Sequence, residues 1–99
     1  MSPPSHNRQD LHAQTARIDW RELERPFARG VVLRVAADLD LVAVATCFAN
    51  DDKDTVAAWM DAAQVAHLDL PGAQAWAGGN AELWAVVVAP WVLVQERRR

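Results

Sequence analysis

The stretch AELWAVVVAPWVLVQE, residues 81–96, organises this chain of 99 residues. Every residue from 83 to 94 except Pro90 is apolar. In a strand, successive side chains point to opposite faces. Both faces would be apolar, with Trp84, Val86 and Val88 on one and Ala85, Val87 and Ala89 on the other. This pattern is typical of a strand that is covered on both sides, and the run is shorter than the ~18 residues of a membrane-spanning helix.

Pro90 divides the run, because proline has no N–H to donate to a neighbouring strand. The sequence lacks the Asn-Gly type of pair that favours a two-residue hairpin turn. We therefore predict two strand segments, residues 83–89 and 91–95, that continue in one direction around a bend. Trp84 and Trp91 have two interpretations, since tryptophan is common in protein cores and is enriched in interfaces. They pack in the core, or one of them lies in a subunit interface.

Two helix starts are predicted before the first strand. The first lies near residue 7 and gives a modest apolar side, formed by Leu11, Thr15 and Ile18. The second follows Asp19, because Glu22 three residues later fits a capping box. Pro26 predicts a kink or an early end of this second helix, and Gly30 its termination. Its buried side chains would be Trp20, Leu23 and Phe27.

Further elements follow along the chain. Residues 31–35 (VVLRV) predict a strand, and Asp38 caps a helix on which Leu41, Val44, Ala45 and Phe48 share one side. The β-branched Val42 and Val44 leave a strand as the alternative there. Asp51 caps a helix over residues 52–63, whose apolar side is Val56, Trp59, Met60 and Ala63. Residues 65–70 alternate as a strand that Pro71 and Gly72 end, and residues 73–77 form one helical turn.

These elements predict a single small α+β domain with three to four helices and a three- to four-stranded, mainly antiparallel sheet. The order of helix, strand, helix, helix, strand and strand resembles a winged helix, with residues 52–63 where a recognition helix lies. The domain covers residues 7–96. Residues 1–6 (MSPPSH) form a disordered start, and residues 97–99 form a basic tail.

Charge argues against nucleic acid as the partner. The net charge is −3, and the segment between Asp38 and Glu82 carries eight acids and one base, Lys53. The would-be recognition helix begins with Asp51, Asp52 and Asp54, whereas DNA binding depends on Lys and Arg. Cys47 is the single cysteine, which indicates a reducing compartment. The chain opens with no charged-then-apolar leader, so we expect a cytoplasmic protein without a membrane partner.

The chemistry-bearing side chains have structural explanations. Asp38, Asp40, Asp51, Asp52 and Asp54 suit a hard cation, but helix capping accounts for Asp38, Asp40, Asp51 and Asp52. Cys47 lies on an apolar helix among acids, which predicts a raised pKa and an inert thiol. His6, His12 and His67 have no metal-binding spacing. We therefore predict no catalytic residue, no metal and no cofactor.

Several stretches resemble a known family. They are Thr15 to Ile18 with Trp20, residues 38–42, residues 51–53 with Trp59, residues 81–88 and residues 90–95. On these the chain resembles the uncharacterised bacterial domain-of-unknown-function family 2288. The resemblance implies no known activity, cofactor or catalytic residue.

Three functions remain open at this point. The first is a non-catalytic protein that self-associates or binds another protein through its tryptophan-rich C-terminal strand. The second is a small-molecule binder or enzyme that uses carboxylates near Asp38–Asp54, with Arg17 or Arg34 as a clamp for an acid or phosphate. The third is a nucleic-acid-associated winged-helix protein.

Overall fold

The computed structural model describes residues 14–79 and 81–97. Four helices and five strands lie wholly within them. In chain order they are β1 (Ala16–Ile18), α1 (Trp20–Ala28), β2 (Val32–Val35), α2 (Leu41–Ala49), α3 (Lys53–Asp61), β3 (Val65–His67), α4 (Leu70–Gly78), β4 (Glu82–Val88) and β5 (Trp91–Arg97). The strands form one sheet in the order β1-β4-β5-β2-β3. The pairing of β2 with β5 is parallel, and the other three pairings are antiparallel. The predicted α+β class is confirmed, with one strand more than expected.

The C-terminal run forms a hairpin and not a bent strand. Val88 pairs with Trp91, and the register continues to Glu82 opposite Arg97. Ala89 and Pro90 alone connect β4 to β5, and the peptide bond between them is cis. Turns with a cis proline at the third position are a defined class, so Asn-Gly is not the only chemistry for so short a connection. The prediction of one continuing direction was therefore wrong.

The prediction that this run lies in the interior is confirmed for β5. It is the middle strand of the sheet, and Val92, Leu93, Val94 and Gln95 are consecutive buried residues. On one face, Leu93 packs with Val86 and with the buried side of α2, and Trp59 of α3 adds to that cluster. On the other face, Val94 packs in a cluster with Leu23 of α1 and Trp76 of α4. Two helix layers thus cover the middle of the sheet, which explains why both faces of β5 are apolar. In the first segment of the run, Val87 is 58 % exposed and Ala89 is exposed, so the prediction of cover on both sides was wrong for that face.

Gln95 is the exception in this apolar strand. Its side chain is 3 % exposed. The Nε2 group donates to the carbonyl oxygens of Ala36 at 2.8 Å and Leu39 at 2.6 Å. A buried amide is tolerated when its hydrogen bonds are made, and here those bonds attach the central strand to the turn before α2.

The first predicted helix ends before part of its predicted apolar side, because Gln14 is helical but Thr15 is not. Ile18 lies in β1, which pairs with β4 through Ile18 opposite Leu83. Pairing with a long neighbouring strand outweighs the weak helical spacing from which the helix was inferred. The predicted helix start near residue 7, Leu11 on its apolar side and the disordered start lie outside the described residues.

The capped helix after Asp19 is confirmed. The Asp19 N–H donates to the Glu22 carboxylate at 3.2 Å. Leu23 is fully buried, and Trp20 and Phe27 are half-buried with their ring centroids 5.8 Å apart. Pro26 is inside the last turn of α1, and the chain leaves the helix through Gly30 at φ +74°, a conformation that glycine adopts without steric cost.

The helix that was predicted to follow Asp38 is capped by Asp40 instead. The Asp40 carboxylate accepts from the N–H groups of Val42 at 3.0 Å and Ala43 at 3.3 Å. Asp38 lies two residues too early, in a turn closed by the bond from Leu39 N–H to the Ala36 carbonyl. The predicted apolar side of α2 is confirmed, and the alternative of a strand is wrong.

We expect Asp40→Ala to lower the free energy of unfolding by about 0.5–2 kcal/mol, the usual cost of losing an N-cap. Asp38→Ala removes the same side chain two residues away and serves as the control, with an expected change within about 0.5 kcal/mol. Urea unfolding of the two variants measures the difference. A larger loss for Asp38→Ala than for Asp40→Ala would contradict the capping assignment.

The next helix is shorter than predicted and begins one residue later. Asp51 does not cap it, because its backbone is left-handed at φ 56°. The cap is Asp52, whose carboxylate accepts from Thr55 N–H at 3.3 Å. Ala63 at φ 58° lies beyond the end of α3. The predicted apolar side is only half covered, since Trp59 packs on the core but Met60 remains 38 % exposed.

Pro71 and Gly72 begin a helix and do not end a strand. The third strand stops at His67, and the Asp69 carboxylate accepts from Gly72 N–H at 2.8 Å as the N-cap of α4. Proline is favoured in the first turn because its missing N–H would have no helical partner there. The predicted strand over residues 65–70 and the single turn over residues 73–77 were therefore both wrong in extent.

Candidate functional site: the cleft below the hairpin turn

A cleft of about 390 Å³ lies between the end of α2, the side of α3 and the turn of the β4–β5 hairpin. We call it the hairpin cleft. Its apolar lining comes from five different elements and includes Leu33, Phe48, Val56, Met60, Val88 and Trp91. Ligand sites are typically concave, mainly apolar and about 300–1,000 Å³ in volume, so the hairpin cleft has the size and lining of a binding site.

Trp91 stands where the hairpin turn meets the cleft. It is the first residue of β5, opposite Val88, and its side chain is half-buried. The His67 ring meets it edge-on, with centroids 5.6 Å apart and planes at 70°. The His67 side chain is itself exposed to solvent. Its contact with Trp91 joins residues far apart in sequence, so it has no local sequence signal.

The connection between α2 and α3 forms the acidic rim of the cleft. Asp52 N–H donates to the Cys47 carbonyl at 2.9 Å, which folds the chain back at the end of α2. The Asp52 carboxylate also accepts from the Thr55 hydroxyl at 2.8 Å. Lys53 Nζ is 3.8 Å from Asp51, and both side chains are about four-fifths exposed. Such an exposed ion pair contributes little to stability. The Asp51 carboxylate and the Lys53 ammonium group can therefore still interact with charges on a ligand.

Cys47 is a protonated thiol in the wall of the cleft. Burial raises the pKa of Cys47 above its ordinary value, and the negative charge of Asp52 and a hydrogen bond to that carboxylate raise it further. The thiolate is the nucleophilic form of cysteine, and these surroundings disfavour it. The cleft therefore presents Cys47 as a small, weakly polar surface, and the raised pKa agrees with the sequence-based prediction for this thiol.

We expect the pH–rate profile for alkylation of Cys47 by iodoacetamide to lie at higher pH in the folded protein than in urea. The raised pKa leaves less thiolate at any given pH below it. Asp52→Asn removes the charge while keeping an efficient cap, so its profile should move to lower pH but remain displaced by burial. Asp54→Asn is the control on the same helix. A profile that Asp52→Asn leaves in place would contradict the role given to Asp52.

Trp84 lies at the other end of the hairpin and does not line the cleft. Its indole Nε1–H donates to the Glu82 carboxylate at 2.9 Å. The Arg97 guanidinium lies over its ring at 4.7 Å from the centroid. Cation–π contacts of this kind are favourable by roughly 0.5–1 kcal/mol at exposed sites. Trp84 thus has a polar and a charged neighbour within its own hairpin.

The predicted arginine clamp is not formed in the clefts seen among the described residues. Arg17 borders a wider cleft of about 700 Å³ with Asp19 and Glu24, near the start of α1. Arg34 borders one of about 420 Å³ with Glu96. The carboxylates that do line a cleft from the predicted segment are Asp51 and Asp52, and they meet Lys53 there and no arginine.

The described residues contain neither a candidate metal centre nor a candidate membrane span. Within residues 14–79 and 81–97, no group of three or more His, Cys, Asp or Glu side chains is placed to hold a metal ion. Over the same part of the chain, no helix has the length and apolarity to cross a bilayer. The first turn of α3 remains acidic in three dimensions, with Asp51, Asp52 and Asp54 exposed, which is unfavourable for a phosphate backbone.

The chain matches the family model described as "Protein of unknown function (DUF2288)" over residues 6–96. The chain belongs to the DUF2288 family. The resemblance seen in the sequence is therefore confirmed. No curated protein matches this DUF2288 chain.

A solved structure is similar to this DUF2288 protein over most of its length. It is the NMR solution structure of PA1075 from Pseudomonas aeruginosa, which is 46 % identical, with 90 % of this chain and 82 % of that chain covered and a TM-score of 0.82. Neither the family description nor that of PA1075 names a ligand, a substrate or a partner. The function of the DUF2288 chain therefore has to be argued from its own surface.

Proposed function

We propose that this DUF2288 protein is a small, non-catalytic cytoplasmic protein of bacteria that acts by binding protein. The hairpin cleft receives an apolar side chain, either from a second copy of the chain or from a different protein. One observation carries the proposal: the half-buried Trp91 lines an apolar cleft whose wall includes the 38 % exposed Met60. Tryptophan and methionine are enriched in interfaces, and tryptophan is over-represented among the few residues that contribute most of the binding energy.

The polar groups of the cleft support binding rather than catalysis. Cys47 is held as a thiol, and the Asp52 carboxylate is engaged by Thr55. A nucleophilic cysteine requires a neighbouring base that can take its proton. The Asp52 carboxylate instead raises the pKa of the Cys47 thiol, which favours the unreactive protonated form. The remaining lining is mainly apolar, which favours contact with an apolar group.

Light scattering at micromolar concentration tests self-association, with Met60→Lys as the variant and Leu70→Lys as its control. Met60 lines the cleft, whereas Leu70 is 60 % exposed on α4 and does not line it. We expect the wild-type chain to be larger than the 11.0 kDa monomer, Met60→Lys to be a monomer and Leu70→Lys to resemble the wild type. An ammonium group at the cleft disrupts apolar contact because its burial is costly.

A wild-type monomer would remove self-association and leave a different protein as the partner. Binding of a different protein is tested by selecting peptides from a display library on the wild-type protein. The affinity of the selected peptides is then measured for the two lysine variants. Peptides whose affinity falls at least tenfold with Met60→Lys, but not with Leu70→Lys, support the proposal. A chain that is a monomer and yields no such peptide would overturn it.

A small-molecule site is the second candidate, because the volume of about 390 Å³ lies within the range of ligand pockets. It would use the Asp51 and Asp52 carboxylates that were predicted for this role, without the arginine clamp. Nucleic-acid binding has no supporting contact in the cleft. Absence of a gel shift at about 50 mM salt, where non-specific binding is strong, would exclude it.

A further inference from the structure

We infer that the group bound by the hairpin cleft is apolar and carries a positive charge: a partner segment in which an apolar side chain is next to a lysine or arginine. This inference rests on the proposed function and names the chemistry of the partner. Its basis is the charge of the lining. Two carboxylates, Asp51 and Asp52, face one ammonium group, Lys53, around an otherwise mainly apolar cleft.

Asp52 contributes most directly. Its carboxylate is close enough to the Cys47 thiol to hydrogen bond with it and to act on its ionisation, so its field reaches into the cleft wall. The Thr55 N–H and hydroxyl bond to this carboxylate but leave its charge in place. Each carboxylate oxygen can accept more than one hydrogen bond, so an incoming cation can pair with Asp52 in addition to Thr55.

Lys53 does not neutralise the rim. Its Nζ is 3.8 Å from Asp51, and the lysine side chain is 82 % exposed. A single exposed lysine therefore offsets one carboxylate and leaves the other. The N-terminal end of α3 also carries partial positive charge, which reduces the field of Asp52 and makes the expected preference moderate.

The apolar part and the acidic part of the cleft lining can contact one ligand at the same time. The ring of Trp91 and the side chain of Met60 offer contact to the apolar part of a ligand. The α2–α3 connection places the acids in the same lining. A bound group that projects an ammonium or guanidinium from an apolar body would meet both surfaces at once, whereas a carboxylate in that position would be repelled.

Three probes that share one skeleton test the inference: phenylbutylamine, phenylbutanol and phenylbutyrate. Each is titrated into the isotope-labelled full chain at low salt and about pH 8, where imidazole is ordinarily neutral, and amide and indole NMR shifts are followed. We expect the amine to bind about 3- to 10-fold more tightly than the alcohol, and the carboxylate more weakly than the alcohol. The preference should shrink at about 1 M salt.

The matched variant is the double substitution Asp51→Asn and Asp52→Asn. Asparagine caps helices about as well as aspartate, and it tolerates the left-handed backbone of residue 51. The variant should therefore fold. The readout is the ratio of the amine affinity to the alcohol affinity within each protein, so a change in the alcohol affinity alone does not affect the test. We expect its preference for the amine to fall to less than twofold.

The outcomes separate the two proposals. Equal affinity for all three probes, or a preference that the double variant retains, would overturn the charge inference and leave the cleft as an apolar binding site. Tightest binding of the carboxylate would overturn it as well. Failure of every probe to shift the resonances of Trp91 and Met60 at millimolar concentration would count against the proposed use of the cleft itself.

Discussion

Leu93→Ala is expected to lower the free energy of unfolding by about 2–5 kcal/mol, the range for truncating a buried leucine. Leu93 is 0 % exposed in the middle strand, and its backbone neighbours are Leu33 on β2 and Val86 on β4. The two helix layers hold the surrounding side chains in place, so the space left by the missing atoms cannot close fully. Urea or thermal unfolding measures the loss.

The control is Leu70→Ala, which makes the same chemical change at a residue that is 60 % exposed. Its effect should stay within about 0.5 kcal/mol, as for most surface substitutions. Similar losses for the two variants would mean that Leu93 is not in the core. The position of β5 at the centre of the sheet would then be wrong.

Gln95→Leu is expected to lower the free energy of unfolding by about 1–3 kcal/mol, although leucine has a similar volume and suits an apolar strand. The reason is the loss of both donors from Nε2. The Leu39 carbonyl loses its bond, and the Ala36 carbonyl keeps only the one from Leu39 N–H. A carbonyl left unpaired near the core costs more than the hydrogen bond itself contributed.

Gln74→Leu provides the comparison, because Gln74 is exposed on α4. We expect that change to stay within about 0.5 kcal/mol. Amide hydrogen exchange adds a second readout. The amides of the turn over residues 36–39 should exchange faster in Gln95→Leu than in the wild type, and at the wild-type rate in Gln74→Leu. A stabilised Gln95→Leu variant with an unaltered turn would show that the two bonds do not hold it.

The interior of this protein could be predicted from the sequence because buried segments show a local pattern of apolar residues. A run that is apolar on both faces predicted a strand covered on both sides, which holds for β5 but not for β4, where Val87 is 58 % exposed. The apolar side of α2 and the capping box at Asp19 were also visible locally. Each of these signals comes from residues within a few positions of one another.

The wrong predictions concern residues whose type fits two structural roles equally well. Asp38 and Asp40 are both plausible caps by residue type, and only the turn closed by Leu39 N–H decides between them. Pro90 by residue type predicts a bend, yet the pairing of Val88 with Trp91 makes it part of a turn. Pro71 by residue type predicts the end of a strand, although proline is equally suited to the first turn of a helix.

The candidate site was predictable only in part. Trp91 was singled out as a possible interface residue, together with Trp84, on composition alone. The cleft itself depends on the parallel pairing of β2 with β5 and on the turn after α2, which bring His67, Cys47 and Met60 near Trp91. These residues are separated along the chain by up to 44 positions, and no local pattern records such proximity.

The most direct test of the binding role is a measurement of intermolecular NOEs between phenylbutylamine and the full chain. The account predicts NOEs from the probe to the Met60 methyl group and to the Trp91 ring, with none to Trp84 at the other end of the hairpin. NOEs confined to Trp84 and Arg97, or to the wider cleft beside Trp20, would contradict the assignment of the hairpin cleft as the binding surface.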